Sequence, residues 1–449
     1  MNAISTADFV AVKATPKAAD VAILGAGVLG VTTAYWLART GLDVVVIERQ
    51  PGAALETSFA NGGQISVSHA EPWANPSAPL KVAKWLFDSK APLLFRPRMD
   101  PNQWKWIAKF LGQCGTATSL ANTKAIVELA AHSRGQLQRI RAHEGIDYDQ
   151  RTQGILHFYR NEKEFEAALP IAKMMQDWGC ERRIIGRDEV FAIEPTLAAH
   201  GHDIVGGTYT AADESGDVYK FTTELARIAE QRYGVTFLNE TDVLGLDVKG
   251  GQVAGVRIRS RQAGSPEQFI AAKSVVVALG SYTAPFMRGY GVNLPIYPAK
   301  GYSLTLDVPE GGVAPTVSLT DDEYKLVYSR LGNRLRVAGS AELVGYDTEI
   351  SKVRCDAIFD QVSKLFPEAG DLSTAEYWTG LRPATPNNLP ILGRVKGAPA
   401  NLFLNSGHGT LGWTMGAGSG LKVARDVADS LGADRAALSD MEQTVAVAA

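Results

Sequence analysis

The sequence predicts an α/β protein of two lobes: a split Rossmann-like nucleotide-binding lobe and a second lobe on a mostly antiparallel sheet. Three observations favour this fold. A glycine-rich β-α-β unit begins at Val21, further strands suited to its sheet return only after Val235, and the segments between alternate helical patterns with short β-like runs. The 449 residues are about three times the usual ~150-residue domain, which leaves room for two large lobes.

The first unit has the spacing of a dinucleotide site. An apolar strand pattern at 21–24 leads into Gly25, Gly27 and Gly30, then a helical stretch, then a second apolar strand that ends at Glu48. Gly25 permits a tight turn, Gly27 lets the backbone approach a pyrophosphate, and Gly30 lets helix and strand pack closely. The helix N-terminus faces the phosphates, and Glu48 is placed to accept hydrogen bonds from a ribose diol.

The motif by itself does not distinguish FAD from NAD, but its context favours FAD. Residues 274–280 form an apolar strand pattern that ends in a glycine turn, residues 235–238 and 253–258 also have strand patterns, and 221–233 has a helical one. A nucleotide lobe split in this way is common in flavoproteins. We therefore expect a split Rossmann-like FAD-binding lobe.

The pattern along the chain predicts the extent of each lobe. Residues 1–19 lack an apolar signal region and are expected to be a flexible leader. The predicted segments are 20–66, 206–284 and 376–449 for the FAD-binding lobe, and 67–205 and 285–375 for the substrate-binding lobe.

Composition excludes several classes of function. The 45 Lys and Arg against 48 Asp and Glu give a net charge of −3 without a basic block, so no nucleic-acid partner is expected. Three widely spaced cysteines form no Cys-x-x-Cys pair. His200 and His202 lack a third clustered ligand, so no metal site is predicted.

The chain resembles the D-amino-acid dehydrogenase small-subunit family, within the glycine oxidase and D-amino-acid oxidase flavoprotein superfamily. The resemblance covers about nine-tenths of the chain. It depends on five motifs, VAILGAGVLG at 21–30, ETSFANGGQIS at 56–66, YPAKGYS at 297–303, WTGLRP at 378–383 and GHGTLGWTM at 407–415. It implies a noncovalent FAD enzyme that oxidises D-amino acids to imino acids, which water converts to 2-oxo acids and ammonia, with electrons passed to a membrane quinone.

Cofactor contacts are predicted at three further segments. Small residues after the second strand are expected to cover the pyrophosphate and the isoalloxazine edge. The GHGTLG segment opens a helix whose dipole and N–H groups would stabilise negative charge on the reduced flavin. The predicted cofactor residues are Gly25, Ala26, Gly27, Val28, Leu29, Gly30, Glu48, Arg49, Ser58, Asn61, Gly62, Gly63, Gln64, Val243, Gly280, Gly407, His408, Gly409, Thr410 and Leu411.

Hydride transfer to flavin N5 needs a substrate held by its carboxylate, and arginine binds both carboxylate oxygens at once. The resemblance places such an arginine at a strand end before a hairpin, which predicts Arg330 as the main catalytic residue. Tyr302 and Tyr324 are candidates for a second carboxylate bond, and Arg382 for the anion site or for flavin support. His408 is a candidate flavin neighbour or proton shuttle.

The loop after GGQIS reads VSHAEPW, where family members often have YAAPW. This departure leaves the substrate side chain open, and cyclic or N-substituted D-amino acids of the D-proline or hydroxyproline type are an alternative. His69 and Glu71 could line the substrate entrance, where Glu71 would favour cationic side chains. An oxygen-using oxidase, an NAD-dependent dehydrogenase and a non-catalytic dinucleotide-binding sensor also stay open.

Tryptophans and basic residues concentrate at one stretch of the chain. Four of eight tryptophans, Trp73, Trp85, Trp104 and Trp106, lie within 34 residues, and residues 81–110 carry seven Lys and Arg, including Lys81, Lys84 and Arg96, against two Asp. Such a patch suits an anionic lipid surface, and a lid or a subunit contact is the alternative. We expect a cytoplasmic protein; peripheral contact with the cytoplasmic face of the inner membrane, and oligomerisation, stay open.

Overall fold

A computed structural model describes residues 15–85 and 93–443 of the chain. The strands in chain order are β1 (Ala18–Leu24), β2 (Val44–Ile47), β3 (Gln64–Ile65), β4 (Leu93–Phe95), β5 (Ile155–Tyr159), β6 (Arg183–Gly186), β7 (Gly206–Thr210), β8 (Glu214–Ser215), β9 (Thr236–Leu238), β10 (Thr241–Lys249), β11 (Gln252–Ser260), β12 (Glu267–Val277), β13 (Tyr297–Asp307), β14 (Ser318–Asp321), β15 (Leu326–Leu331), β16 (Arg334–Leu343), β17 (Glu376–Ala384), β18 (Ile391–Gly393) and β19 (Leu402–Ser406). The helices are α1 (Val28–Ala38), α2 (Ala78–Trp85), α3 (Pro101–Gly112), α4 (Thr116–Glu144), α5 (Glu162–Asp177), α6 (Arg187–Ile193), α7 (Val218–Tyr233), α8 (Thr283–Arg288), α9 (Lys352–Leu365), α10 (Gly412–Leu431) and α11 (Ala436–Gln443).

The first sheet is the nucleotide-binding type that the glycine motif predicts. Its strand order is β10-β11-β12-β1-β2-β9, and β19 and β18 continue it beyond β12. β1 runs parallel to β2 and β12, and β2 runs parallel to β9. β1 and β2 lie between later strands, so almost all of their side chains are buried and the sequence there is continuously apolar.

Small residues let two helices pack closely beside this sheet. α1 is buried along its whole length and contacts α10. The Thr32 hydroxyl donates to Gly416 O at 3.2 Å, and Trp36 Nε1 donates to Ala417 O at 3.3 Å. A Cβ at Gly420 would lie 2.6 Å from the Thr32 hydroxyl oxygen. The small side chains of α10 therefore let this helix, near the end of the chain, pack on α1 in the first lobe.

The second sheet is mostly antiparallel, in the order β17-β13-β16-β15-β14-β5-β7-β6, with β4 added beside β16. Within this second sheet, only β5 with β14 and β4 with β16 pair in parallel among the described strands. One face, which includes Leu304, Tyr328 and Val337, packs in an apolar core that also contains side chains of α9. Alternate residues point the other way, toward the loop after β2. The predicted fold class is confirmed.

Two strands belong to a different sheet from the one that their predicted segments imply. β7 pairs with β5 and β6, and β17 pairs with β13 along nine residue pairs, so both strands complete the second sheet. Strand pairing is nonlocal and follows from free sheet edges, which the local sequence does not encode. β1 begins at Ala18, inside the predicted leader, and residues 1–14 of that leader lie outside the described residues.

Candidate active site

A cavity of about 660 Å³ opens at the carboxyl ends of β1 and β2, where α/β sheets bind ligands. It continues past the end of β12 to β17 and the start of α10. Thirteen predicted cofactor residues line it: Gly25, Gly27, Val28, Leu29, Glu48, Arg49, Ser58, Asn61, Val243, Gly280, His408, Gly409 and Thr410. Segments far apart in sequence therefore meet around one elongated space.

The three motif glycines have different structural reasons. Gly25 has a φ of 99°, and a Cβ there would lie 2.7 Å from Ala278 O. A Cβ on Gly30 would lie 1.9 Å from Gly25 O, so packing requires glycine at both positions. Gly27 lines the cavity, and the nearest atom to its added Cβ is Ser58 Oγ at 3.5 Å. Gly27 therefore keeps backbone accessible to a ligand rather than to the protein.

Glu48 stands at the end of β2 with its carboxylate held in place. Its two oxygens accept the backbone N–H groups of Ala26 at 2.7 Å and Gln50 at 2.9 Å. Burial raises the pKa of Glu48, which these two bonds oppose. Arg49 pairs with Glu56 at 2.6 Å and lies 4.1 Å from the ring centre of Tyr282. This part of the cavity thus has the acid and the flat side chains that suit a ribose and a nucleobase.

Two buried polar atoms on the cavity wall have no hydrogen-bond partner in the described part of the protein, namely His408 Nδ1 and Trp413 Nε1. The other ring nitrogen of His408 is 2.9 Å from the Ser419 hydroxyl oxygen. Burial lowers the pKa of His408 to about 3, so the imidazole is neutral at physiological pH. Since buried polar atoms are normally paired, both atoms fit a polar cofactor such as FAD at this end of the cavity.

Arg382 is a half-buried cation on the cavity wall. Its guanidinium lies over Gly301 of β13, where a Cβ would be 1.9 Å from Nη1, and it donates to Ser340 O at 2.9 Å. Within residues 15–85 and 93–443 no carboxylate forms an ion pair with Arg382, and burial lowers its pKa to about 10. The side chain stays cationic at neutral pH, which suits the binding of an anion in the cavity.

Three predicted catalytic side chains lie elsewhere. Arg330 follows Leu326 and Tyr328 on the β15 face directed away from the loop after β2, and it donates to Gly332 O at 3.0 Å. Tyr302 is core, with its hydroxyl donating to Glu342 at 2.6 Å. Tyr324 is exposed beside Arg160 on the β14–β15 turn. Arg330, the predicted main catalytic residue, therefore does not line this cavity, whereas Arg382, the other predicted candidate for an anion site, does.

The remaining seven predicted cofactor residues do not line this cavity. Gly62 and Gly63 pack on Val327 and Leu331 of β15, and the Gln64 amide donates to Ser318 Oγ of β14 at 3.0 Å. These glycines let the loop after β2 lie on the second sheet. The other four are Ala26, Gly30, Gly407 and Leu411.

Sequence reasoning missed several cavity residues. Thr241, Asp242, Tyr282, Phe286 and Trp378 line the space from strand ends and short helices. Their positions depend on tertiary pairing, so no local motif marks them. The glycine turn at Gly280 was the available signal for Tyr282, because it ends a strand of the same sheet.

Glu71 is not a free carboxylate. It pairs with Arg182 Nη1 at 3.2 Å, and Arg182 is itself buried. The predicted attraction of Glu71 for cationic substrates is therefore offset by a neighbouring positive charge. His69 stacks on His157 with 5.7 Å between ring centres.

The described residues also show whether a metal site or a membrane-spanning helix is present. No cluster of three or more His, Cys, Asp or Glu side chains with the arrangement of a metal site occurs there. In the same residues, each helix falls short of the length or apolar character needed to cross a membrane.

The fold and the cavity define a two-lobed dinucleotide-binding protein with an arginine on the cavity wall. Residues 20–425 match the model of a family described as FAD dependent oxidoreductase, and the chain belongs to that family. It is FAD-dependent, which leaves no support for an NAD-dependent dehydrogenase.

Two curated relatives of this chain are both named D-amino acid dehydrogenase. The chain is 50% identical over 404 residues to a D-amino acid dehydrogenase of Dechloromonas aromatica, covering 90% of this chain and 96% of the relative. It is 48% identical over 424 residues to one from Paramagnetospirillum magneticum, covering 92% and 98%. These names give no support to a non-catalytic sensor.

Solved structures share the fold at low identity. Glycine oxidase from Bacillus cereus superposes with a TM-score of 0.68 at 21% identity, covering 92% of this chain and 97% of that one. L-proline dehydrogenase from P. horikoshii superposes with a TM-score of 0.70 at 18% identity, covering 95% and 96%.

Proposed function

We propose that the protein is an FAD-dependent D-amino-acid dehydrogenase that oxidises the substrate amine to an imine, which water converts to a 2-oxo acid and ammonia. The names of its relatives support the D-amino-acid substrate. The observation that supports the site assignment is Arg382, a half-buried cation without an acidic partner in the described chain, on the wall of the dinucleotide cavity.

FAD, held by the glycine turn, Glu48 and the start of α10, supplies the hydride acceptor that no side chain can provide. Arg382 binds the substrate carboxylate through its planar fork and so fixes the direction of the α-hydrogen. Pro383 follows it, and the 3₁₀ turn Gly409–Leu411 leads into α10, whose N-terminal dipole favours negative charge in the cavity. His408 contributes as a neutral, polar neighbour.

We propose a neutral rather than a cationic side chain for the preferred substrate. Glu71 was the acidic residue predicted for the entrance, and Arg182 lies beside it. The pair leaves no net negative charge to attract D-arginine or D-lysine. D-Alanine is the first substrate to try, with D-arginine and D-proline as comparisons.

The visible flavin spectrum tests the proposed function directly. Anaerobic addition of D-alanine is expected to bleach the flavin absorption of the purified protein, and L-alanine is not. A water-soluble quinone analogue should then restore the colour faster than air does. Fast recovery in air would identify an oxidase instead, bleaching by D-proline alone would favour the cyclic-substrate alternative, and a flavin that no D-amino acid bleaches would contradict the proposal.

We propose that electrons leave for a membrane quinone and that the α2–α3 region contacts an anionic lipid surface. Leu80, Met99, Trp104 and Leu111 are exposed large apolar side chains of this region. Lys81, Arg96, Lys105 and Lys109 lie on the same stretch, which suits peripheral attachment. Trp73 is partly buried and Trp106 is core, donating to Ala384 O at 2.9 Å, while the side chains of Lys84 and Trp85 lie outside the described residues.

Vesicle binding tests this surface. Wild type is expected to sediment with vesicles of phosphatidylglycerol and phosphatidylethanolamine, less so at high salt. Met99→Glu with Leu111→Glu should abolish sedimentation, and the matched pair Phe269→Glu with Val248→Glu, exposed on the first sheet, should not. Equal sedimentation of both double variants would contradict the proposed surface.

A further inference from the structure

A chain of hydrogen bonds crosses the interior beside the cavity. Ser66 Oγ is 3.0 Å from Ser68 Oγ, which is 3.1 Å from His157 Nε2. His157 Nδ1 is 3.1 Å from Asp322 Oδ2, and the other oxygen of Asp322 is 2.9 Å from Lys325 Nζ. Each member of this Ser66–Lys325 chain bonds to the next without a gap.

The exposure of the side chains in the Ser66–Lys325 chain increases from Ser66 in the interior to Lys325 at the surface. Ser66, Ser68 and His157 are at most 2% exposed, the Asp322 side chain is 14% exposed, and that of Lys325 is 42% exposed. Burying the three polar side chains of Ser66, Ser68 and His157 side by side costs desolvation free energy, which an apolar core would avoid. The arrangement connects the protein interior with solvent.

The direction of the bonds follows from the charge of Asp322. Lys325 and His157 oppose the effect of burial and hold the pKa of Asp322 well below its usual range, so its carboxylate only accepts hydrogen bonds. His157 Nδ1 must therefore donate. Burial, then the charge of Arg182, lowers the pKa of His157, so the ring is neutral and Nε2 has a free lone pair. Nε2 accepts from Ser68, and Ser68 in turn accepts from Ser66.

The charged and titratable groups around His157 balance one another. His69 stacks on its ring, and Arg182 lies on one side with Glu71 and Tyr159 as its partners. Asp213, held by Arg134, accepts the N–H groups of Val67 and Ser68. The surroundings therefore fix His157 as a neutral base without an excess of either charge.

The inner end of the chain lies next to the start of α10. The backbone N–H of Ser66 donates to the Thr414 hydroxyl at 3.0 Å. Gly412 and Trp413, the two residues before Thr414, line the cofactor cavity, as does Asn61 earlier on the Ser66 loop. Ser66 is thus hydrogen-bonded to the residue that follows the cavity-lining Gly412 and Trp413.

We propose that Ser66, Ser68, His157 and Asp322 form a proton relay that carries the proton released on amine oxidation from the cavity to solvent near Lys325. The inference depends on the proposed function. The substrate zwitterion gives up its α-hydrogen with two electrons as a hydride, and its ammonium gives up one proton as the C=N bond forms. The relay transfers this ammonium proton.

The transfer is balanced at each bond. Ser66 accepts a proton at its oxygen and passes its own to Ser68, which passes its own to His157 Nε2. His157 releases the Nδ1 proton to Asp322, and Asp322 releases it to solvent. Afterwards the hydroxyl groups rotate back and the proton left on His157 Nε2 moves to Nδ1 by a change of tautomer, so one proton leaves for each substrate molecule oxidised.

Variants at Ser68 and His157 test the relay. Ser68→Ala breaks it, Ser68→Thr restores the hydroxyl, and His157→Gln retains polarity but cannot be protonated near neutral pH. Ser133→Ala is the matched control, because Ser133 is equally buried and is not part of the Ser66–Lys325 chain. Its hydroxyl accepts the N–H of Gly418 at 3.0 Å. The measurement is the anaerobic flavin-reduction rate as a function of pH, with D-alanine in the holoenzyme.

At neutral pH, Ser68→Ala and His157→Gln are expected to reduce the rate by about tenfold or more, a modest share of general acid–base catalysis. Above the pKa of the substrate amine the loss should disappear, because the substrate then arrives without its extra proton. Ser68→Thr and Ser133→Ala should behave as wild type. If the variants lost the same fraction of the flavin-reduction rate at all pH values and had a lower melting temperature, the Ser66–Lys325 chain would serve only to hold the Ser66 loop in place. That result would overturn the relay.

A second readout does not depend on turnover. Nitrogen-15 spectra of histidine-labelled protein, with His157 assigned by its absence in His157→Gln, should give a neutral ring protonated on Nδ1 and bare at Nε2. Asp322→Asn should change this tautomer balance. Protonation of Nε2 in wild type would reverse the bond directions and overturn the relay, whereas wild-type flavin that no D-amino acid bleaches would instead contradict the proposed function.

Discussion

At the residue scale, the choice between Arg330 and Arg382 depends on which face of a strand each side chain occupies. Successive strand residues point to opposite faces, so a shift by one position moves a side chain from the cavity side to the core side. Arg330 shares its face with the buried Tyr328, whereas Arg382 covers Gly301. The sequence identifies both as strand arginines, but the face depends on the register between distant strands.

Substituting Arg382 is expected to weaken substrate binding. Arg382→Ala removes the cation that pairs with the substrate carboxylate, a hydrogen-bonded charge pair whose loss costs about 2–5 kcal/mol, and the KM for D-alanine should rise by about 30-fold or more. Arg382→Lys keeps the charge but loses the planar fork, so its KM should lie between. Steady-state kinetics with a quinone analogue measure this effect.

Arg330→Ala is the matched control for Arg382→Ala, since it removes a half-buried arginine on the other face of the sheet. Its KM is expected to equal that of wild type. If Arg330→Ala raised the KM more than Arg382→Ala did, the result would indicate that Arg330, and not Arg382, binds the substrate carboxylate.

At the element scale, the β1-α1-β2 unit was predictable because its information is local. Strand, glycines, helix and acid follow one another within 28 residues, and each glycine has a short-range reason. β17 was not, because its partner β13 lies far away in sequence. The same limit explains why Tyr282 and Trp378 were missed at the cavity.

Alanine substitutions at Gly27 and Gly30 should separate ligand contact from packing. Gly30→Ala places a Cβ 1.9 Å from Gly25 O, so we expect a lower melting temperature even without FAD. Gly27→Ala has room within the protein but enters the cavity, so FAD affinity should fall while the apoprotein keeps its melting temperature. Thermal unfolding and FAD titration of the apoprotein measure the two effects.

Gly135→Ala, in the middle of α4 with open space around its added Cβ, is the control for these variants. It is expected to stabilise the protein slightly, by about 0.5–1 kcal/mol, without a change in FAD affinity. Equal loss of FAD affinity in Gly27→Ala and Gly135→Ala would contradict the role given to Gly27.

At the scale of the whole molecule, two interior histidines, the buried His408 and the partly buried His69, are neutral at physiological pH. Burial lowers the pKa values of both His69 and His408 to about 3, with the charge of His157 as the second cause for His69. In the unfolded chain the same side chains have pKa values of about 6.5. The folded protein therefore cannot take up protons that the unfolded chain binds readily below about pH 6.5.

The stability of the whole protein is consequently expected to fall with acid. Each of these histidines contributes stability that is fully present above about pH 6.5 and is lost as pH falls toward 3, about 1 kcal/mol by pH 5.5. His69→Gln removes one such group, so its urea midpoint should fall less between pH 6.5 and 5.5 than that of wild type. His143→Gln, at a side chain that is 47% exposed, is the control and should follow wild type. If His69→Gln and wild type lost stability in parallel, His69 would have to be protonated inside the folded protein.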